Sequence, residues 1–215
     1  MVNDVRTATG EAKGKRPTRR DEQNRLTRAR LLESAHQLFA TRGDAAVTVD
    51  DIAAAAGCSR ATFYVHFPGK VDILRELAGD GMAPSALSFY QDLDRVLDTG
   101  SRAEFTAWIT RAIDWFHRYQ QMLPAWDEAT TLEPDFRATA RAGIVALPNA
   151  MTSYLSRWPA DRQDEARLRI ELLLTQLERF FTRWALQSTI DVAPDLAAEV
   201  LTDIWFPALS APVEQ

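Results

Sequence analysis

TVDDIAAAAGCSRATFYVHFPGK, Thr48 to Lys70, is the stretch from which the architecture of the chain can be read. Thr48 precedes an apolar-periodic run with Asp51 three residues on, an arrangement that predicts a capped helix from about Val49, with Ile52, Ala55 and Ala56 on one face. Gly57 ends that helix, and Ser59 offers a hydroxyl to the open amides of a second one. Phe63 and Phe67 lie one turn apart in the second helix, so both rings point back at the first. Two helices joined by about three residues that include a glycine make a helix-turn-helix.

With Phe63 facing inward, a step of about 100° per residue turns Ala61, Thr62, Tyr64 and Val65 outward and leaves Arg60 on the exposed first turn. This is the face expected to meet bases. Arg60 can fork onto guanine N7 and O6, Thr62 offers a short hydroxyl, and Ala61 and Val65 suit a thymine methyl. Tyr64, His66 and Lys70 suit phosphates. Pro68 closes the helix, because the residue before a proline is pushed out of helical geometry. Taken singly, Arg60 also reads as a solvated cation, and His66 as an ordinary surface histidine.

GCSRATFYVHFPGKVDIL resembles the second half of the helix-turn-helix of TetR-type regulators, and the likeness spans roughly Arg25 to Leu77. The resemblance implies that Arg60, Ala61, Thr62 and Tyr64 contact bases or backbone, that Thr48, His66 and Lys70 contact phosphates, and that Ser59 opens the reading helix. Cys58 stands where the family has an aliphatic residue, a role that a small buried thiol fills.

The charge is unevenly distributed. The 215 residues carry −5 overall, yet residues 1–75 sum to +4 and residues 76–215 to −9, so the basic part carries the motif. A single cysteine excludes an internal disulfide framework. His36, His66 and His117 stand far apart without companions at ligand spacing, so neither a metal nor a cofactor is expected. No apolar leader and no run of about 18 apolar residues occurs, and a soluble cytoplasmic protein without membrane contact is expected. An enzyme is the rival from another class, but no Gly-rich phosphate loop, nucleophile elbow, paired-histidine motif or clustered acid-base set supports it.

Residues 1–22 read as a basic tail, either an inert leader or an arm that touches phosphates or the minor groove. Residues 23–78 read as the DNA-binding domain, its first helix running from about Arg25 to Thr41, and residues 79–215 as a ligand-binding and dimerisation domain. Gly79, Gly81 and Pro84 predict a kink or break after the helix that Lys70 opens. Beyond it the spacing predicts helices at about 86–97, 102–120, 123–130, 134–157, 162–187 and 195–206. The fold class is all-α, an amino-terminal three-helix helix-turn-helix unit followed by a helical bundle.

The second domain is rich in rings. Phe105, Trp108 and Trp115 form one stripe, and on the residues alone it reads as plain core. The family resemblance implies instead a small-molecule pocket in the carboxy-terminal domain. The Trp-rich middle and the ending VLTDIWFPAL are further similar to the ethionamide-resistance repressor type, whose pocket is a long apolar channel. Trp108, Trp115, Trp126, Trp158, Phe180 and Trp184 are candidate lining residues for an apolar ligand, with Gln176, Thr175, Glu178 or Tyr119 as a polar anchor. Ile170, Leu173, Leu174, Leu177 and Phe181, with Leu196, Val200, Leu201, Ile204 and Trp205, offer a homodimer interface of two helices from each subunit, or else are internal. A dimer reads a palindromic operator in double-stranded DNA. The expected action is that of a repressor released by its ligand; the alternative is an adaptor controlled by a partner protein.

Overall fold

A computed structural model describes residues 18–209, and they form an all-α protein. The first helix, α1 (Arg19–Arg42), starts six residues earlier than the apolar spacing suggested. Thr18 and Asp21 form a reciprocal capping box, in which Thr18 Oγ1 accepts from the Asp21 amide at 3.2 Å and Asp21 accepts from the Thr18 amide at 2.8 Å. The end of the expected 1–22 tail is therefore helical, while residues 1–17 lie outside the described residues.

The short helices α2 (Val49–Ala55), α3 (Arg60–His66) and α4 (Lys70–Leu77) follow. The buried face of the α2 segment is Ile52, Ala53 and Ala56, while Ala55 is exposed, one position off the expected pattern. Leu31, Ala35 and Phe39 of α1 close over Phe63, Phe67, Ile73 and Leu74.

No break follows α4. The chain stays helical through one π turn at Ala78–Met82, where the Ala83 amide bonds to the Ala78 carbonyl, and into α5 (Ala83–Thr99). Pro84 sits in the first turn of α5, where a missing amide hydrogen is tolerated. The glycines and the proline are thus absorbed as a local widening of the helix.

The body is built of α6 (Arg102–Tyr119), α7 (Leu123–Leu132), α8 (Pro134–Asn149), α9 (Thr152–Ser156), α10 (Gln163–Phe181) and α11 (Pro194–Ala208). The helix expected over 134–157 is broken at Ala150 and Met151, after Pro148 has removed one amide from the ladder. The buried carboxylate of Asp94 on α5 accepts from the amides of Ser153 (3.0 Å) and Tyr154 (2.7 Å) and so caps α9 from another helix. A second π turn, Thr182–Leu186, extends α10.

Two apolar cores result. One joins α5, α6, α9, α10 and α11 around Trp108, Phe105, Ile170 and Leu173. The other, around the helix-turn-helix, is completed by Met122, Ala125 and Ala129 at α7 and by Phe136 and Ala140 of α8, so α7 packs beneath the helix-turn-helix.

Ile170, Leu173, Leu177, Phe181, Leu201 and Trp205, expected at a subunit interface, are buried within the chain. The apolar residues that do face outward are Leu168 and Leu172 on α10 and Leu196, Val200 and Ile204 on α11, each about half exposed and spaced four apart along its helix. No described helix is long and apolar enough to cross a membrane.

Candidate nucleic-acid interface

Two caps and one glycine shape the motif. Thr48 Oγ1 accepts from the Asp51 amide at 3.2 Å, and the Asp51 carboxylate accepts from the Thr48 amide at 3.0 Å. These bonds hold the Asp51 carboxyl below the usual carboxylate range, the Thr48 hydroxyl contributing most. Gly57, at φ 67°, makes the left-handed turn that lets Cys58 N–H reach the Ala53 carbonyl at 2.9 Å. Ser59 Oγ then accepts from the Thr62 amide at 3.1 Å and starts α3. Phe67 leaves the helix in extended geometry before Pro68.

The outer face of α3 is bare. Ala61, Tyr64 and Val65 are exposed, Val65 to 75%, while Phe63 is wholly buried. Thr62 is half-buried, with its hydroxyl 2.9 Å from that of Ser59, and His66 is partly exposed at the carboxy-terminal end.

Arg60 is exposed but engaged. Nη1 donates to Asp50 Oδ2 at 2.9 Å, Nη2 lies 3.4 Å from the Tyr64 hydroxyl, and the guanidinium stands 5.7 Å from the Tyr64 ring centre. Tyr64 and then Asp50 raise the Arg60 pKa above its ordinary value. In the sequence Asp50 reads only as a helix-start acid. The ten positions separating it from Arg60 span a turn whose geometry no periodicity reveals.

Lys70 does not stand free. Its Nζ donates to the Asp44 carbonyl at 2.7 Å and to Asp44 Oδ2 at 3.0 Å, and the Asp44 side chain is fully buried. This ties the start of α4 to the α1–α2 turn. The same turn is held from the body, because Glu128 Oε2 on α7 accepts from the Ala45 amide at 2.9 Å. Arg28 of α1 pairs with Glu76 of α4 and lies 4.6 Å over the Phe67 ring, which locks the back of the unit.

The candidate ligand residues are not gathered at one place. Trp108 is core: its ring stacks on Phe89 at 4.5 Å between centres, and its Nε1 donates to the Phe89 carbonyl. Trp158 is buried against Tyr154, and Trp184 stacks on Phe180 with Nε1 bonded to the Val192 carbonyl. Phe180 and Gln176 border an open groove of about 490 Å³ beside α10, and Trp115 one of about 510 Å³ between α5 and α6. Trp126 and Tyr119 line a cavity of about 290 Å³ with Leu74, Leu77, Met82 and Met122. It lies between α1, α4 with its π turn, and the α6–α7 connection. Among the described residues no group of three or more His, Cys, Asp or Glu is placed to hold a metal.

Residues 31–77 match the family model described as bacterial regulatory proteins, tetR family. Over 208 residues the chain is 27% identical to the HTH-type transcriptional regulator EthR of Mycolicibacterium smegmatis, an alignment that covers 92% of this chain and 91% of that one. Over 67 residues it is 36% identical to the HTH-type transcriptional regulator SrpR of Pseudomonas putida, spanning 31% of this chain and 32% of SrpR. The fold is shared with NalD, the secondary repressor of the MexAB-OprM multidrug efflux pump in Pseudomonas aeruginosa. That likeness has a TM-score of 0.59 at 16% identity and covers 86% of this chain and 96% of NalD.

Proposed function

We propose that this chain is a DNA-binding regulator of the TetR family, a dimeric repressor that lays α3 in the major groove and leaves its operator when an apolar small molecule enters the body. The observation that carries the reading is the bare, capped α3, whose exposed Arg60, Ala61, Tyr64 and Val65 stand over a buried Phe63. Arg60 reads a guanine, Ala61 and Val65 meet thymine methyls, and Thr62 adds a hydroxyl. Thr48, Ser59, Tyr64 and His66 sit at the rim, where phosphates run. Lys70 serves this face indirectly, through the Asp44 bond that positions α4.

For the ligand we propose the 290 Å³ cavity at the π turn, with Trp126 and Tyr119 in its wall. Its walls come from both the reading unit and the body, so an occupant bound more tightly in one arrangement of the two shifts the balance between them. The half-exposed leucine and isoleucine rows of α10 and α11 support a two-fold dimer, which places the two α3 helices on half-sites about 34–36 Å apart or a multiple of it.

Selection of bound sites from random duplexes tests the DNA reading. An inverted repeat is expected, with Arg60→Ala losing about 1–3 kcal/mol at one base pair of each half-site. Equal binding to every duplex at low salt overturns it. The ligand reading is tested by Trp126 fluorescence against a panel of apolar compounds, followed by operator release. Compounds that quench Trp126 and leave operator affinity unchanged overturn release through this cavity.

A further inference from the structure

We propose that Asp50 is a specificity-determining residue of the helix-turn-helix: it bonds the Arg60 guanidinium, leaves the donors not taken by Asp50 and Tyr64 for a guanine, and keeps this arginine off phosphate. The inference rests on the reading that α3 enters the major groove.

The geometry is suited to the task. Asp50 is the second residue of α2 and Arg60 the first of α3, so the turn brings together two side chains from different helices, with Nη1 2.9 Å from Oδ2. Asp51, not Asp50, makes the hydrogen bonds of the cap, which leaves the Asp50 carboxylate free for Arg60. The Tyr64 hydroxyl accepts from Nη2 at 3.4 Å, and the guanidinium stands 5.7 Å from the Tyr64 ring centre.

Both partners are about 60% exposed, and an ion pair this open to water adds little to folding. An acid at this position also repels the phosphates that the motif must approach. Its presence is accounted for by what it does to Arg60. A guanidinium carries five donors in a planar fork, so bonds to Asp50 and to the Tyr64 hydroxyl restrain it from two nitrogens while donors remain for guanine O6 and N7. A free arginine there, long and flexible, can instead settle on whichever phosphate is nearest and bind without reading. Asp50 makes that alternative unfavourable, because the carboxylate and the phosphate compete for the same cation.

The test uses the full chain in duplex selection and in titrations at two salt concentrations, with Asp50→Asn, Asp50→Glu and Arg60→Ala. Asn keeps the size and loses the charge; Glu restores the charge one methylene further out. The base pair whose preference Arg60→Ala removes is the one to watch. For Asp50→Asn, guanine preference there is expected to fall about tenfold. Random-competitor binding is expected to rise, with a salt slope steeper by about one contact. Asp50→Glu is expected to recover at least part of the preference, which a loss of helix structure does not predict. In the double variant Asp50→Asn with Arg60→Ala, no further loss of preference is expected.

If the unmodified protein prefers no sequence, the groove reading falls and this inference with it. If Arg60→Ala erases the guanine while Asp50→Asn keeps both guanine preference and salt slope, the inference falls alone. If Asp50→Asn loses the preference and Asp50→Glu recovers none of it, the charge is not the determinant and the inference is equally overturned.

Discussion

Glu178 illustrates how one side chain records its surroundings. It is largely buried at the α7–α10 cleft, and burial first, then the nearby Asp127, raise its carboxyl above the ordinary value, with Arg179 opposing. A raised acid stabilises the fold only while protonated, below its unfolded pKa, and that contribution is lost as pH rises through the folded value. Glu178→Gln is therefore expected to melt higher than the parent at neutral pH, the gap closing below about pH 4, near the ordinary glutamate value. Melting curves across that range check it, and a gap that persists in acid contradicts the charge explanation. Gly43 is the second such residue. At φ 75° and ψ 174° it occupies a region open essentially only to glycine, and an added Cβ meets Glu128 Oε2 at 2.8 Å. Gly43→Ala is expected to lose about 1–3 kcal/mol in denaturant unfolding. Adding Glu128→Ala removes the collision but also the acceptor of the Ala45 amide, and leaves the backbone strain, so partial recovery at most is expected.

Among the elements, a local cap could be read where apolar spacing already pointed to the helix, and a cap supplied by a distant group could not. The starts of α2 and α3 are legible because Thr48, Asp51 and Ser59 cap their own helices. The start of α1 was missed because Thr18 and Asp21 lie in a stretch with little apolar content, where apolar spacing is a weak guide. The α8–α9 break was missed for the opposite reason: the group that caps α9 is Asp94, about sixty residues away on α5. Asp94→Ala leaves two amides without that acceptor and is expected to destabilise by about 1–3 kcal/mol, read by denaturant unfolding. The amides of Ser153 and Tyr154 are also expected to lose hydrogen-exchange protection. Unchanged protection there contradicts the cap.

At the level of the molecule, the helix-turn-helix is not an appendage. Ala125 and Ala129 are small enough for α7 to pack closely beneath it, and Glu128 from the same helix holds the α1–α2 turn at the Ala45 amide. Whatever moves α7 therefore acts on the helix-turn-helix through a bonded contact. The outward rows on α10 and α11 belong to this scale too. Leu172→Glu combined with Ile204→Glu buries no charge within the subunit, since both positions are about half exposed. The pair is expected to convert a dimer to a monomer in sedimentation at micromolar concentration, with the monomer melt retained. A parent protein that sediments as a monomer overturns the dimer.

Helical character, the helix-turn-helix and its caps were determined by the chain alone, because apolar spacing, Thr48, Gly57, Ser59 and Pro68 act within a few residues of themselves. The exposed face of α3 followed once Phe63 was placed inward. Only tertiary structure decided which leucines face solvent, that Lys70 turns to Asp44, that Asp50 holds Arg60, and that the tryptophans scatter among core and clefts. Each of those outcomes depends on the relative placement of helices remote in the chain, and helical periodicity fixes only which side chains share a face, not what that face meets.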